Sequence, residues 1–192
     1  MNDRPDLQKA VYHLNNESNR LARLVDEVLT LSRFDADKEN FVFEKLKFSD
    51  LILDTMGKLQ LRAEKYGIQM VSNIEPDIDF VGDKEKLVQV IVNLLDNAFK
   101  YSPSKSSVTV LLFRESNMAF LSISDQGVGI PQEDTTKVFE RFYRAENARG
   151  ISGTGLGLSI VKQIVDAHKG TIELVTGVSG KGTTAKLKLP IT

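Results

Sequence analysis

Residues 83–102 read DKEKLVQVIVNLLDNAFKYS, and this stretch decides the fold. Its apolar side chains recur every three or four positions, which is the pattern of a helix with one buried face. Asp83 stands before the first of them, where a carboxylate can cap the helix N-terminus. Pro103 follows the stretch and cannot continue a helix. We therefore predict a helix between these two residues, with a buried face of Leu87, Val90, Ile91, Leu94, Leu95 and Ala98.

The same helix carries two asparagines, Asn93 and Asn97, which are four residues apart and therefore share a face. An amide that is buried without a partner costs free energy, so this pair beside the apolar stripe indicates a bound ligand. Carboxamide oxygens suit Mg²⁺, which takes one or two protein ligands together with substrate phosphates. Lys100 and Tyr101 follow within one turn and could reach those phosphates. A helix that its asparagines merely cap and pack explains the pair equally well.

Further helices and short strands flank this helix on both sides. Ser49 is predicted to cap a helix that stops near Gly67 and carries Leu51, Ile52, Met56, Leu59 and Leu61. Another helix is predicted from Leu156 to His168, and Gly170 ends it. The predicted strands cover residues 69–73, 79–81, 107–114, 119–125, 171–176 and 183–189. This order indicates an α+β fold, a two-layer sandwich with helices covering one face of a mixed, mostly antiparallel sheet.

The first forty residues follow a different pattern. Leu7, Leu14, Leu21 and Val28 recur every seven residues, which predicts one long amphipathic helix with a seam for other helices. A helix that packs on its own domain is the simpler alternative. We expect two domains: residues 1–45 with the long helix, and residues 46–192 with the sandwich.

An aspartate at a predicted strand end is the next candidate for binding. Asp125 is followed by Gly127, Gly129 and Ile130, and glycines allow a ligand to approach the backbone closely. The carboxylate could accept a hydrogen bond from an exocyclic amine such as that of adenine. An ordinary junction between a strand and a turn explains the same residues equally well.

A glycine-rich loop leads into the last predicted helix; it consists of Gly153, Thr154, Gly155, Leu156, Gly157 and Leu158. Backbone N–H groups and the helix dipole favour phosphate at such an N-terminus. The loop is not a Walker loop, because Leu158-Ser159 stands where that motif ends in Lys-Ser/Thr. It is not a Rossmann loop either, since no early βαβ unit contains it. The later segment Gly180-Lys181-Gly182-Thr183 is explained as a hairpin turn without a ligand.

These motifs occur together and in one order, and over Ser49–Thr192 the chain resembles the catalytic domain of sensor histidine kinases. These kinases belong to the ATP-binding superfamily of gyrases, chaperones and mismatch-repair proteins. Phe139-Glu140-Arg141-Phe142-Tyr143-Arg144 is similar to the phenylalanine box of the kinases. The first helix is similar to the second helix of their dimerisation bundle, through Glu17-Ser18-x-x-Leu21 and Leu29-x-Leu31-Ser32-Arg33.

The resemblance implies ATP and Mg²⁺ as ligands and assigns the residues around the phosphates. Asn97 would bind the metal with Asn93 beside it, and Lys100 and Tyr101 would contact phosphates. Arg144 would reach the γ-phosphate from a mobile lid. Asn93, Lys100 and Arg144 are thus the predicted catalytic residues.

The resemblance also implies how the base is bound. Asp125 would accept a hydrogen bond from the adenine amine, with Thr183 helping through water. The mobile lid would span residues 132–152. The remaining predicted nucleotide contacts are Gly127, Gly129, Ile130, Gly153, Thr154, Gly155, Leu156, Gly157 and Leu158.

Asn93 favours phosphoryl transfer over hydrolysis. Hydrolysing members of the superfamily carry a glutamate four residues before the metal-binding asparagine, where it activates water. An amide has no useful basicity, and general-base catalysis is worth about 10²–10⁴-fold. The alternatives are an ATPase of the chaperone type, a serine/threonine kinase of the anti-sigma-factor type and a nucleotide-binding module without catalysis.

Neither histidine matches the phosphoacceptor pattern of the family, which has a glutamate after the histidine and a proline further on. His13 is followed by Leu14-Asn15, and His168 is expected to be a capping or surface residue at a helix end. The chain is therefore expected to lack the first bundle helix and to depend on that helix, in a homodimeric parent, as its acceptor. A response-regulator receiver domain is the expected onward partner.

Composition excludes several other classes. The chain has 25 Lys and Arg residues against 26 Asp and Glu residues, so no basic excess indicates nucleic acid. It has no cysteine, which excludes disulfides and thiolate chemistry. No apolar run is long enough for a membrane span. We expect a cytoplasmic portion of a sensor whose membrane anchor lies elsewhere.

Overall fold

The structure is a computed structural model, and it describes residues 4–36, 40–148, 150–151, 153–177 and 180–191. The chain divides into two compact units, Met1–Glu39 and Asn40–Thr192. The first unit contains helix α1, Arg4–Asp35, so the heptad stretch is helical as predicted. Its heptad residues Leu7, Leu14, Leu21 and Val28 are all exposed. That α1 is a bundle helix remains a prediction.

The second unit has a mixed sheet. Its helices are α2 (Phe48–Tyr66), α3 (Lys84–Tyr101) and α4 (Gly157–Ala167). Its strands are β1 (Glu44–Lys47), β2 (Gln69–Ile74), β3 (Asp79–Gly82), β4 (Ser107–Glu115), β5 (Met118–Ser124), β6 (Thr171–Thr176) and β7 (Thr183–Pro190). Five strands form one sheet in the order β2-β4-β5-β7-β6, and only β2 and β4 run parallel. The predicted mixed, mostly antiparallel sheet is confirmed.

The core lies between this sheet and its helices. On β5 every second residue is buried, as expected for a strand with one covered face. Helix α3 packs against α2, α4 and the central strands. All six residues predicted for its inner face are buried, and Phe99 is buried with them. The predicted two-layer sandwich is confirmed, and α3 lies at its centre.

One local prediction needs correction, and two further local features were not foreseen. Ser49 does not cap α2; its buried hydroxyl donates to Glu75 O at 2.7 Å and accepts the Ile78 N–H at 3.2 Å. Leu61 is 74% exposed and does not join the buried face of α2. The strand β1 pairs with β3 in a separate two-stranded sheet that the sequence pattern did not indicate.

The end of α2 is as predicted. Gly67 adopts the left-handed conformation, with φ 69°, and its N–H bonds to Glu64 O at 2.9 Å. A Cβ on Gly67 would lie 2.3 Å from Ser104 Oγ, whereas one on Gly57, inside the same helix, would meet nothing within 4 Å.

These two glycines should respond oppositely to alanine. Gly67→Ala is expected to lower the free energy of unfolding by about 1–2 kcal/mol, because it forces a side chain into the left-handed region and against Ser104. Gly57→Ala is expected to raise it by about 0.5–1 kcal/mol, since alanine is the better helix residue and the space is open. Urea unfolding of both variants measures the difference; equal effects would contradict the assignment of Gly67 as the helix end.

Candidate functional site

Asp125 directly follows β5 and is held by the neighbouring backbone. Its Oδ1 accepts the Gly127 N–H at 2.7 Å and the Thr183 N–H at 3.0 Å. Burial raises the pKa of Asp125, and the two N–H donors oppose that shift. Among the described residues no donor reaches Oδ2. The carboxylate therefore has a fixed orientation and one oxygen available to a ligand.

Thr183 contributes to this arrangement through its main chain. Its carbonyl accepts the Asp125 N–H at 2.8 Å, and its own N–H donates to the Asp125 carboxylate. The predicted contact of Thr183 with adenine through water remains a prediction. The pairing of β5 with β7 places Asp125 opposite Thr183, and this pairing explains the position of Asp125.

The glycines after Asp125 lie in close backbone contacts. A Cβ on Gly127 would lie 2.5 Å from Tyr101 O, and one on Gly129 would lie 2.4 Å from Gly180 O. Gly129 also has a positive φ of 73°. The Gly182 N–H donates to Gly127 O at 2.8 Å. Larger residues would push this loop away from α3 and from the turn before β7, so packing alone requires these glycines.

The C-terminal half of α3 carries the residues that are predicted to bind the metal and the phosphates. Asn93, Asn97, Lys100 and Tyr101 are all half-buried there. Among the residues that the structure describes, neither asparagine side chain makes a hydrogen bond within the protein. A Cβ added to Gly157 would lie 3.5 Å from Asn93 Oδ1. The beginning of α4 therefore lies beside Asn93, and the roles of the two asparagines in metal binding remain a prediction.

Helix α4 begins without a side-chain cap. Its N-cap residue is Leu156, which is fully buried, and no side chain accepts from the first turn. Thr154 Oγ1 accepts the Leu156 N–H at 3.2 Å, one residue before the helix. Uncapped N–H groups together with the positive end of the helix dipole form a site for an anion. Leu158 is half-buried in that first turn.

The glycine loop before α4 contacts the phenylalanine box. Gly155 has φ 77°, and a Cβ there would lie 2.8 Å from the backbone of Phe142. The Phe142 N–H donates to Gly155 O at 2.9 Å. Phe142 itself has a positive φ of 62° and is 63% exposed. Gly153 is less confined, since its nearest neighbour would be the Tyr101 hydroxyl at 3.9 Å.

The predicted lid contains three short 3₁₀ turns rather than a long helix, at Gln132–Asp134, Lys137–Phe139 and Glu146–Ala148. Within it, the Tyr143 hydroxyl donates to the buried Asp134 Oδ1 at 2.5 Å. This hydrogen bond, with desolvation and nearby carboxylates, raises the pKa of Tyr143 to about 12. Asn147 Nδ2 donates to Gly129 O at 3.0 Å and so ties the lid to the loop after Asp125. Tyr143 and Gly129 belong to motifs quoted above, whereas no sequence motif indicated their partners Asp134 and Asn147.

Arg144 lies on the lid itself in this structure. Its Nη2 donates to Ala148 O at 2.6 Å and also to Ile151 O. Its Nε is buried without a hydrogen-bond partner among the described residues. The predicted contact with a γ-phosphate therefore requires the guanidinium to leave these carbonyls.

Ile130 lines a cavity at the base of the lid. The cavity measures about 490 Å³ and is bounded by the lid, the edge strand β6 and the turn after it. Thr176 Oγ1 accepts the Ile130 N–H at 3.1 Å and donates to Ile130 O at 2.7 Å, which fixes this corner. Asp125, Asn93 and Asn97 do not line it. Ile130 follows Asp125 closely in the sequence, but it lines a cavity that Asp125 does not line.

The expectation that His168 is a capping or surface residue was right in its first part and wrong in its second: His168 is the C-cap residue of α4, but it is not on the surface. The residue is 4% exposed, so it is a core residue and not a surface one. Its Nε2 accepts the Asp83 N–H at 3.0 Å, and its Nδ1 lies 2.7 Å from Ile164 O. The sequence carried no signal for this contact between residues 85 positions apart.

The described residues, 4–36, 40–148, 150–151, 153–177 and 180–191, contain no group of three His, Cys, Asp or Glu residues that could hold a metal ion. None of the helices in these ranges is long and apolar enough to cross a membrane.

Comparison with known proteins decides the family. The family described as "Histidine kinase-, DNA gyrase B-, and HSP90-like ATPase" matches residues 82–192, more than half of the chain. The chain belongs to this family. The matched range contains α3, Asp125, the lid, the glycine loop and α4, so the chain carries the ATP-binding domain of the family.

The names of its relatives include sensor histidine kinases and sensor proteins. The chain is 39% identical to sensor histidine kinase WalK of Bacillus subtilis over 184 residues, which are 91% of this chain and 29% of the relative. It is 34% identical to sensor protein SrrB of Staphylococcus aureus over 187 residues, covering 96% and 32% of the two chains. The chain thus spans about a third of the length of these curated relatives.

Solved structures agree with the fold. The mycobacterial sensor histidine kinase MprB has a TM-score of 0.70 at 33% identity, covering 78% of this chain and 98% of its own. The histidine kinase AdeS of Acinetobacter baumannii has a TM-score of 0.80 at 25% identity, covering 95% and 84%. The ATP-binding domain of a histidine kinase is therefore what this chain is similar to, in sequence and in structure.

The hydrogen bonds of Asp125 predict a difference between two variants. Asp125→Ala leaves the Gly127 and Thr183 N–H groups without their acceptor and is expected to cost about 1–3 kcal/mol of unfolding free energy. Asp125→Asn keeps a carbonyl oxygen in the same place and is expected to cost less than about 1 kcal/mol. Urea unfolding of the two variants measures this; an equal loss in both would show that the carboxylate does not act as this acceptor.

Proposed function

We propose that the chain binds Mg-ATP and transfers the γ-phosphoryl group to a histidine on a bundle helix of its parent sensor kinase. A response-regulator aspartate then receives the group. In this proposal residues 46–192 are the catalytic domain, and residues 1–45 belong to the dimerisation bundle. Names of relatives such as sensor histidine kinase WalK support it.

One observation carries the proposal: the uncapped start of α4 lies beside Asn93 of α3. Gly157 is the residue at which they meet, because even a Cβ there would stand 3.5 Å from Asn93 Oδ1. An anion bound at the α4 N-terminus would therefore lie near Asn93, and we assign Asn97, Lys100 and Tyr101 to the same site because they follow Asn93 along the same side of α3. This is the geometry that a metal-bound triphosphate requires.

The residues around that point fit Mg²⁺. They offer neutral hard oxygens from Asn97 and Asn93 and no cluster of carboxylates within the described residues, so phosphates must complete the coordination. When bound, the metal would neutralise charge that develops on the phosphates. The protein would supply the amide oxygens, the amide N–H groups of α4 and the Lys100 ammonium.

The base would be selected at the other end of the site. Asp125 keeps Oδ2 available while two N–H donors hold Oδ1, so the carboxylate presents one acceptor in a fixed direction. An exocyclic amine such as that of adenine is the complementary donor. Guanine would place a carbonyl oxygen there, and because Asp125 Oδ2 is also an acceptor, guanine would be rejected.

Transfer is proposed in preference to hydrolysis because of Asn93. No carboxylate stands at this position to take a proton from water, so the bound nucleotide persists until an acceptor arrives. Phosphoryl transfer needs chiefly positioning and charge stabilisation, and Arg144 would add charge once it leaves the lid carbonyls.

The acceptor histidine is proposed to lie outside these 192 residues. His168 is buried, and both of its ring nitrogens are engaged by backbone groups, so it cannot present a nucleophilic nitrogen to ATP. His13 lies in α1 within a sequence that lacks the acceptor pattern, and its side chain lies outside the described part of the structure.

A transfer assay tests the proposal. The chain is mixed with γ-labelled ATP, Mg²⁺ and a fragment that carries the parent's bundle helix with its histidine. Label on that fragment that is acid-labile and base-stable is the expected result. Steady release of free phosphate without labelled protein would instead indicate an ATPase of the chaperone type, and label on serine a kinase of the anti-sigma-factor type.

Nucleotide affinity tests the role of Asp125 separately. Asp125→Asn places an N–H₂ group where Oδ2 accepts, and the loss of this charged hydrogen bond is expected to weaken ATP binding about 10- to 100-fold. Asp54→Asn, an exposed position on α2, is the matched control and should bind as the unchanged chain does. Calorimetric titration gives both affinities. Equal affinity of the two variants would remove Asp125 from base recognition.

A further inference from the structure

The N-terminal end of α3 is held by an aspartate that serves two elements at once. Asp83 Oδ1 accepts the Lys86 N–H at 3.0 Å and caps the helix. Its Oδ2 accepts the Val42 N–H at 2.9 Å. The segment 40–43, which connects this unit to the rest of the chain before β1, is thereby fastened to the cap of α3.

The same aspartate is bonded to a buried histidine in a single protonation state. The Asp83 N–H is a donor only, so His168 Nε2 must accept and carries no proton. His168 Nδ1 faces the Ile164 carbonyl, which is an acceptor only, so the proton lies on Nδ1. The imidazole is therefore neutral in this arrangement. A second proton on Nε2 would point directly at the Asp83 N–H.

Aromatic rings of the connecting segment lie on that imidazole. The centroid of Phe43 lies 5.0 Å from the His168 ring, and that of Phe41 lies 5.8 Å away, edge to face. From β3, Phe80 stacks at 6.2 Å, and a Cβ on Gly82 would lie 3.0 Å from the ring. Phe43 and Val42 are themselves exposed, at 47% and 68%. These ring contacts and the Val42 hydrogen bond hold the segment, although the Phe43 and Val42 side chains remain exposed.

We propose that Asp83, His168 and the segment 40–43 form a proton-sensitive latch, closed while the imidazole is neutral and opened when Nε2 takes up a proton. Protonation turns the acceptor of the Asp83 N–H into a donor and places a charge among three phenylalanine rings. The Asp83 backbone and the segment bonded to its side chain must then move away from the ring. Opening frees the chain that leads to α1 while α3 keeps its buried face.

The charged surroundings of the imidazole are simple. From α3, Asp83 is the carboxylate that acts on the ring. From β3 the facing residues are Phe80 and Gly82, and from the segment they are Phe41 and Phe43, all uncharged. On α4 itself the neighbouring charged residues, Asp166 and Lys169, are exposed, and Asp166 pairs with Lys162. Within the part of the chain that the structure describes, Asp83 is therefore the group whose charge favours the proton on His168.

Burial lowers the pKa of His168, while the Ile164 carbonyl and the Asp83 charge oppose that shift. The closed latch therefore binds the proton more weakly than the open one. Closing is fully favourable above the ordinary histidine pKa of about 6.5 and loses stability as the pH falls below it. Between that value and the lowered pKa, the opening equilibrium should rise by up to about tenfold per pH unit.

Amide exchange of the full chain, followed by NMR between pH 7.5 and pH 5, tests the latch. After correction for intrinsic exchange, protection of the Val42 and Asp83 amides is expected to fall with the titration of the His168 ring. His168→Gln offers an amide oxygen to the Asp83 N–H and takes no proton, so its protection should not depend on pH. His13→Gln removes the only other histidine and should leave the response unchanged.

A second pair of variants keeps the test independent of His168→Gln. Val42→Pro removes the N–H that meets Asp83 Oδ2, and Val42→Ala keeps it; the side chain is exposed in either case. If protonation opens the latch, opening must favour protonation. The pKa of His168 should therefore shift upward towards its ordinary value in the proline variant and remain unchanged in the alanine variant.

Three results would overturn the latch. They are a His168 ring that titrates while Val42 protection stays constant, a pH response that persists in a folded His168→Gln variant, and equal His168 titration in the Val42→Pro and Val42→Ala variants.

Discussion

The packing of α3 against the sheet is the constraint on which the rest of the molecule depends. Its inner face runs from Leu87 to Phe99 and contains seven buried apolar residues, so the helix cannot turn or slide without exposing several of them. Burial of each such side chain contributes about 1.5–3 kcal/mol. One rigid helix therefore fixes both the Asn93–Asn97 pair in its C-terminal half and Asp83 at its N-terminus. The site and the latch are attached to the same element.

Whether the sequence predicts a structural feature correctly depends on how far apart along the chain the interacting residues lie. Periodicity gives α3 within one residue at each end, and Gly67 ends α2 because its conformation is local. Predictions failed where a distant partner decides. Ser49 is bonded to residues after β2, and His168 is bonded to a residue 85 positions away. Leu61 follows the buried Leu59 by two residues, which places it about 200° round the helix and on the exposed side of α2.

The glycines of the site show why a glycine motif alone is weak evidence for a bound ligand. Gly127, Gly129 and Gly182 allow three backbone segments to pack at distances that any Cβ would forbid. That packing brings the loop after Asp125 against Tyr101 and against the turn before β7. A loop that must lie this close to its neighbours needs the same glycines with or without a nucleotide. The motif therefore reports how the pocket is built, and the chemistry rests on Asp125, Asn93, Asn97 and the uncapped start of α4.

The orientation of Asp125 follows from strand register. Ser124 pairs with Thr184, so the next residue along β5 lies opposite Thr183, whose N–H and carbonyl bond to the Asp125 carboxylate and backbone. A slip of one residue between β5 and β7 would break both bonds and turn the buried alternate residues of β5 outward. The hydrophobic core therefore fixes the register between β5 and β7, and this register fixes the orientation of the Asp125 carboxylate. Burial acts against the charge of Asp125, and the two N–H donors offset it, so the same strand pairing that positions this acceptor also helps to keep it ionised.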